Sequence, residues 1–258
     1  MKIYMISLER DYIRRNELKC RFPINYPLFS WIKAVDATQE MIKEFDSKFG
    51  CNSKYRNKKP LTFGEMCCAV SHLLALEDFV KSDSNYCCII EDDIIGSDKD
   101  FEMVLKNVEK FPLNSSVWIL GGQQGMKNAR YLSGYRLASN LWKIPKESMY
   151  FLTRACCYVI NQEAAKKIIE SQKNLLRRSD IWEYYSTLGI NFFYSNIFEH
   201  PIDLKNSRLE YDRKDNNTLI SKIMTDGILN LVYRNILKIY IKLLRFFSKL
   251  DKVPIKNN

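Results

Sequence analysis

An unbroken apolar run, Tyr86 to Ile90, ends in three consecutive carboxylates, Glu91-Asp92-Asp93. So short a run with no polar alternation reads as a strand buried on both faces, as in a sheet covered by helices. Other segments repeat the theme. Lys2 to Leu8 reads as a first strand, Asp11 to Cys20 as a helix, and Phe29 to Val35 as a second strand that stops at Asp36. Thr62 with Glu65 three residues later forms a capping box, predicting a helix over Phe63 to Val80. A helix near Lys99 to Phe111 precedes an apolar strand, Val117 to Leu120, that stops at Gly121-Gly122. Gln123 to Met149 reads as loop with short strand candidates. Ala155 to Ile160 follows as a strand, with Asn161 capping a helix through about Ser171. Asp180 to Leu188 then reads as a helix and Phe192 to Phe198 as a last strand. Alternation of this kind predicts an α/β fold, with a mainly parallel central sheet flanked by helices.

At 258 residues, 46% hydrophobic and 13% aromatic, the chain has enough apolar surface to bury a core, which excludes a largely disordered protein. No repeat or Pro/Gly-rich linker interrupts it. The simplest division is a main domain, residues 1–217, and a basic amphipathic helical tail, residues 218–258. The net charge of +10 is uneven: Arg234, Lys238, Lys242, Arg245, Lys249, Lys252 and Lys256 face only Asp251 after residue 227. Read as a helix, five of these cations recur at three- and four-residue spacing, while Leu237, Tyr240, Ile241, Leu244 and Phe247 supply an apolar face. That pattern suits either an anionic membrane surface or docking on the chain's own domain. Charge gathered at one end, with no reader motif, argues against a nucleic-acid partner.

Three pairs of adjacent cysteines (Cys67-Cys68, Cys87-Cys88 and Cys156-Cys157) lie within apolar runs. Neighbours on a strand point to opposite faces, so buried reduced thiols are expected rather than disulfides, which favours the cytoplasm. The N-terminal MKIYMISL meets charge at Glu9-Arg10-Asp11, too early for a secretory signal, and no stretch has the ~18 uninterrupted apolar residues of a spanning helix. The expected location is cytoplasmic, with the tail offering peripheral attachment to the cytoplasmic face of the inner membrane.

In open α/β sheets, ligands bind beyond the carboxyl ends of the strands. Three carboxylates there repel one another unless cations neutralise them, and Mg2+ or Mn2+ takes carboxylate oxygens together with substrate phosphate. Alternation at a strand end lets Glu91 and Asp93 face a metal together while Asp92 turns aside. The bland alternative is a turn cap with the remaining acids in solvent. His72 lies seven residues after Glu65, on the same helix face, where it orients that acid, contacts a ligand or sits as a satisfied core histidine.

Several ordered segments resemble glycosyltransferase family 25, the bacterial lipooligosaccharide galactosyltransferases and their relatives. Ile6-Ser7-Leu8 followed by Arg14-Arg15 is similar to the family's opening signature, and Val35-Asp36-Ala37 to its D-A element. Leu61 to His72, LTFGEMCCAVSH, resembles its L-T-x-G-E-x-G-C-x-x-S-H block, and Ile90 to Ile94 its E-D-D element. Ala155 to Ile160 resembles a later strand of the family, and Asp180 falls where the family places an acid. Cys67, Asn161 and Thr153-Arg154 depart from its pattern, the last two residues replacing small ones beside the expected acceptor pocket.

The resemblance implies a GT-A-like fold, with transfer of a hexose, commonly galactose from UDP-galactose, to a lipooligosaccharide or other surface glycan with inversion. It casts Glu91 and Asp93 as metal ligands for Mn2+ or Mg2+; His200, whose spacing is not a hallmark of the family, is either a late ligand of the kind some GT-A enzymes take from a C-terminal loop or a solvent-exposed loop histidine. Ser7, Leu8, Arg14, Arg15, Asp36, His72 and Asp92 become donor-binding residues, the arginines and the Lys54 to Lys59 loop facing the phosphates. Inversion needs a general base, for which Asp180 and Glu183 lead, ahead of Glu65 and Asp203. A non-catalytic nucleotide- or glycan-binding relative, and more remotely a glycoside hydrolase with paired carboxylates, are the rival readings.

Overall fold

A computed structural model describes residues 1–36, 54–55, 59–112, 114–202 and 228–255. Ala37, most of the basic loop after Cys51, Asp203, Lys256 and the division at residue 217 lie outside the described residues. Elements named below are β1 (Lys2–Ser7), α1 (Tyr12–Arg21), β2 (Phe29–Lys33), β3 (Lys54–Tyr55), β4 (Lys59–Pro60), α2 (Phe63–Val80), β5 (Tyr86–Glu91) and α3 (Asp98–Val108). They continue with β6 (Ser116–Gly121), β7 (Ser133–Ala138), β8 (Leu141–Ile144), β9 (Cys157–Asn161), α4 (Gln162–Asn174), α5 (Trp182–Ser186), β10 (Asn191–Phe198), α6 (Ile228–Phe247) and β11 (Leu250–Lys252).

Nine strands form one sheet in the order β11-β7-β8-β10-β6-β9-β5-β1-β2, while β3 and β4 pair separately. Only β1–β2, β1–β5 and β6–β10 pair in parallel. The pairings β5–β9, β6–β9, β8–β10, β7–β8 and β7–β11 are antiparallel. The expectation of a mainly parallel sheet is therefore corrected to a mixed α/β sheet. The cause is β9, which slots between β5 and β6 in the reverse direction. All five of its residues are buried, so its apolar run looks the same in either direction.

Side-chain alternation splits the core into two layers, one on each face. Tyr4, Ile6, Cys87 and Ile89 join the layer covered by α2, α4 and α5, with Leu76, Ile168 and Trp182. Ile3, Met5, Cys88 and Ile90 join the opposite layer under α1 and α3, with Leu18, Phe22 and Phe101. The seven described cysteines are free thiols. The capping box at Thr62 forms as expected, since its side chain accepts from the Glu65 amide and Glu65 accepts from the Thr62 amide.

After the undescribed stretch, α6 and β11 return to the sheet. Leu237, Ile241, Leu250 and Val253 are buried in the first core layer, with Leu244 partly so. Arg245 donates to Ser133 Oγ at 2.7 Å, and the Val253 amide to the Leu132 carbonyl at 3.0 Å. Tyr240 and Phe247, expected on the inward face, are exposed. No helix among the described residues is long and apolar enough to cross a membrane.

Ile241 is fully buried and Ile239, two residues away, is 60% exposed. Truncating a buried isoleucine loses transfer energy and leaves a cavity, so Ile241→Ala should cost about 2–4 kcal/mol. Ile239→Ala should stay within about 0.5 kcal/mol. Urea unfolding of the two variants checks this, and equal effects would mean that α6 is not docked.

Candidate active site

The site forms where β5 ends. Its last residue is Glu91, and Asp92 and Asp93 lie in the turn that follows. The three carboxylates go to three different sets of partners. Asp92 turns toward β1: Ser7 Oγ donates to its Oδ2 at 2.6 Å, and Arg14 Nη1 approaches its Oδ1 at 3.3 Å. Burial raises the Asp92 carboxyl to about 6, more than Ser7 and Arg14 pull it down. Arg14 also lies 3.6 Å from Asp93 Oδ2. Glu91 Oε1 meets His72 Nε2 at 3.2 Å, and the imidazole interaction draws the Glu91 carboxyl downward despite its burial.

Asp93 is the least satisfied. His200 Nε2 stands 3.5 Å from Oδ2, while Oδ1 is buried with no hydrogen-bond partner. Burial raises its carboxyl, with the neighbouring Glu91 adding to the shift and His200 and Arg14 opposing it. An orphaned carboxylate oxygen of this kind is costly unless a cation completes it. Ligand atoms of Glu91, Asp93 and His200 all lie within 4.8 Å of one another. His200 is prepared for such a role. Its Nδ1 lies 2.9 Å from the Pro201 carbonyl, which can only accept, so Nδ1 carries a proton and Nε2, facing Asp93, is the ring nitrogen available to a cation. These residues fit a divalent cation.

Two glycines close the long-range gap to His200. Gly121 and Gly122 have φ of +137° and +74°, and a Cβ on Gly122 would come within 2.2 Å of Cys156 Sγ. Without side chains, the end of β6 presses against the end of β10, where the Gly122 amide donates to the Phe198 carbonyl at 3.1 Å. That contact carries His200, two residues on, over the rim of β5.

A cleft of about 750 Å³, open to solvent, runs from the carboxylates along β1 and the start of α2. Ser7, Leu8, Arg14, Asp36, His72, Glu91, Asp92 and Asp93 line it, so most of the expected donor-binding residues come together. Arg15 is committed elsewhere. Its guanidinium donates to Ser7 Oγ at 2.8 Å and to the Leu8 and Glu9 carbonyls, and it stacks on Trp31 at 4.3 Å. It shapes the loop after β1 rather than facing the cleft. Asp36 pairs with Arg10 at the cleft edge.

The base candidates diverge. Asp180 precedes α5, which is shorter than expected, and Arg178 grips it bidentately at 2.8 and 3.0 Å. Glu65 serves the α2 cap and lies 3.7 Å from the same arginine. Glu183 sits in the first turn of α5, away from the cleft lining.

Arg154 escaped sequence reasoning as a site residue. It is the one non-glycine residue with positive φ, +56°, among those described. Its Nη1 donates to the Gly122 and Gln124 carbonyls at 2.9 and 2.8 Å, and its amide to Asp180 at 3.3 Å. Its charge also helps to hold down the Asp93 carboxyl. Strained backbone clusters at functional sites, and the only signal in the sequence was an arginine in place of small residues.

Removing a ligand carboxylate should weaken cation binding more than any other change here. Asp93→Asn and Glu91→Gln are each expected to lower Mn2+ affinity at least tenfold, read from the electron-paramagnetic-resonance signal of free Mn2+. Unchanged titrations would remove the cation from this group.

Residues 1–183 match glycosyltransferase family 25, described as LPS biosynthesis proteins. A glycosyltransferase 25 family member of Aedes aegypti is 31% identical over 97 residues, 36% of this chain and 16% of its own. A putative glycosyltransferase of Haemophilus influenzae is 32% identical over 91 residues, 35% of this chain and 32% of its own. The chain thus aligns with less than a third of either relative's length. Among solved structures, mannose-1-phosphate geranyltransferase from Thermus thermophilus superposes with a TM-score of 0.40 at 12% identity, covering 76% of this chain and 75% of that one. The galactosyltransferase LgtC, solved with donor and acceptor sugar analogues, gives 0.34 at 9% identity, with 74% and 73% covered.

Proposed function

The chain belongs to glycosyltransferase family 25, and from that membership and its carboxylate rim we propose an inverting transferase that moves a hexose from a UDP-sugar to a surface glycan. Galactose is the first donor sugar to test, and lipooligosaccharide the first acceptor. The observation that carries this reading is the orphaned Asp93 oxygen near Glu91 and His200 beside an open cleft. The mixed sheet with this rim is compatible with a GT-A-like architecture.

Each residue has a task set by its position. Arg14, already between Asp92 and Asp93, presents positive charge where a pyrophosphate would lie. Asp92 pairs with that arginine while Ser7 donates to Asp92 from β1, and both line the cleft. Asp36, at the cleft edge, suits the ribose or uracil hydrogen bonds. A divalent cation, Mn2+ ahead of Mg2+ because one ligand is imidazole, supplies Lewis-acid stabilisation of the departing nucleoside diphosphate when bound. Asp180, oriented by Arg178, takes the proton of the acceptor hydroxyl as the new glycosidic bond forms.

Turnover of UDP-galactose, UDP-glucose and UDP-N-acetylhexosamines with a glycan panel tests the whole reading. Activity should vanish in EDTA and return with Mn2+. Asp93→Ala should lower kcat by about 10²–10³, and Asp180→Asn by a similar factor or more with little change in donor KM. Full activity in chelator, or an Asp93→Ala enzyme as fast as the parent, sinks the proposal.

The outer face of α6 supports a second element of this reading, attachment to an anionic bilayer surface such as the cytoplasmic face of the inner membrane. Val232, Ile236, Ile239, Leu243 and Phe246 are all exposed and recur at four- and three-residue steps along one side. Exposed Lys242, Lys249 and Lys252 add positive charge to the same segment. Apolar insertion combined with basic charge is the usual basis of interfacial binding. In co-sedimentation, Ile239→Glu with Leu243→Glu should cut binding to anionic vesicles at least tenfold and leave the melting temperature unchanged. Equal sedimentation of the double variant would refute the membrane role.

A further inference from the structure

Next to the group just described lies a second cluster with different donor chemistry. Cys68 and His72 are four residues apart on α2 and therefore share one helix face. Ligand atoms of Cys68, His72 and Glu91 all lie within 4.8 Å of one another. His72 Nε2 points at Glu91 Oε1, 3.2 Å away, while Nδ1 is engaged by the Tyr158 hydroxyl at 3.1 Å. One ring nitrogen toward the ligand group and the other anchored by an outer partner is the arrangement that orients metal-binding histidines. Of the described cysteines, Cys68 and Cys20 alone are not buried.

We propose that Cys68, His72 and Glu91 form a second metal site, selective for a thiophilic divalent cation such as Zn2+, that shares Glu91 with the Glu91–Asp93–His200 group. One sulfur, one nitrogen and one oxygen donor leave a fourth position open, as in tetrahedral zinc sites with three protein ligands. The neighbouring group offers two oxygens and a nitrogen, which suits a harder ion, so the two clusters sort cations by softness. A metal entering the site displaces the proton of the Cys68 thiol, and any proton on His72 Nε2, to solvent as the metal–sulfur and metal–nitrogen bonds form.

One consequence rests on the transferase reading. Glu91 drawn toward Cys68 and His72 is lost to the Asp93 group, so Zn2+ antagonises Mn2+-supported turnover by withdrawing a shared ligand at the cleft wall.

Co2+ is the probe for the site itself, because a thiolate-to-cobalt charge-transfer band reports sulfur ligation and the oxygen-rich group gives none. The full-length protein should develop that band with one Co2+ per chain. It should disappear in Cys68→Ala, persist in Cys20→Ser and be displaced by Zn2+. Labelling of the unmutated protein needs no variant to fold: Zn2+ should slow iodoacetamide modification of Cys68 at least tenfold and leave that of Cys20 unchanged. No band in the parent protein, a band that survives Cys68→Ala, or unprotected Cys68 overturns the site. For the consequence, Zn2+ should lower Mn2+-supported turnover at least tenfold in the parent and less than twofold in Cys68→Ser, each relative to its own zinc-free rate. Equal inhibition of both overturns the antagonism. Absence of turnover under every condition counts against the transferase reading alone, since band and labelling are read without activity.

Discussion

Three acids in sequence at the end of a buried strand are tolerated because each is matched to a different cationic or donor partner. Asp92 is held by Ser7 and Arg14, Glu91 by His72, and Asp93 by His200 on one oxygen only. Burying a carboxylate without compensation is prohibitive, so these pairings fix the positions of four separate elements. Ser7 ends β1, Arg14 belongs to α1, His72 faces inward from α2 and His200 follows β10. The compensation is nevertheless incomplete. One Asp93 oxygen has no partner, and its carboxyl is raised while that of Glu91, a few ångströms away, is lowered. The asymmetry leaves one carboxylate oxygen of the rim uncompensated, where a dication held by Glu91, Asp93 and His200 would supply the missing positive charge.

Different parts of this arrangement were legible to different degrees. The limits of α2 follow from the capping box and the apolar face, because both signals are local and agree. Asn161 as the cap of α4 is local in the same way, its side chain accepting from the Ala164 amide at 3.0 Å. Strand direction is not local: β9 is buried throughout and carries no mark of whether its neighbours run with or against it. The rim at β5 was legible because an apolar run that meets three acids has few other meanings. His200 was reachable only by analogy with GT-A enzymes that take a late ligand from a C-terminal loop, since its approach to Asp93 depends on two glycines almost eighty residues earlier in the chain. Cys68 as a ligand was hidden by its pairing with buried Cys67, which made both look like core thiols.

Arg154 shows how a residue becomes part of a site without a motif. A side chain in the left-handed region costs on the order of 1 kcal/mol or more, and the surrounding hydrogen bonds must over-determine it. Here the guanidinium is clamped by two carbonyls of the loop after β6, and the Arg154 carbonyl accepts from Trp182 Nε1 at 2.9 Å. Its amide meanwhile donates to Asp180. The strained residue thus ties the glycine turn that carries His200 to Asp180, the proposed base. Both are set by one backbone conformation, so a change at Arg154 moves both.

The C-terminal segment reverses the usual logic of a basic amphipathic helix. In the ordinary case apolar residues face the protein and cations face water. Among the described side chains of α6, Leu237 and Ile241, with part of Leu244, reach the core. Two cations fold back onto aromatic rings instead: Arg234 over Tyr150 at 5.5 Å and Lys238 toward Tyr131 at 5.7 Å. Drawing those side chains inward leaves the remaining apolar positions on the outside, where water is a poor solvent for them. Because β11 pairs with β7 immediately after this helix, the outward face has a fixed orientation relative to the sheet. An apolar face that cannot turn away from solvent, flanked by positive charge, is stabilised by any anionic surface able to accept it. The same rigid link would hold the cleft at one angle to that surface.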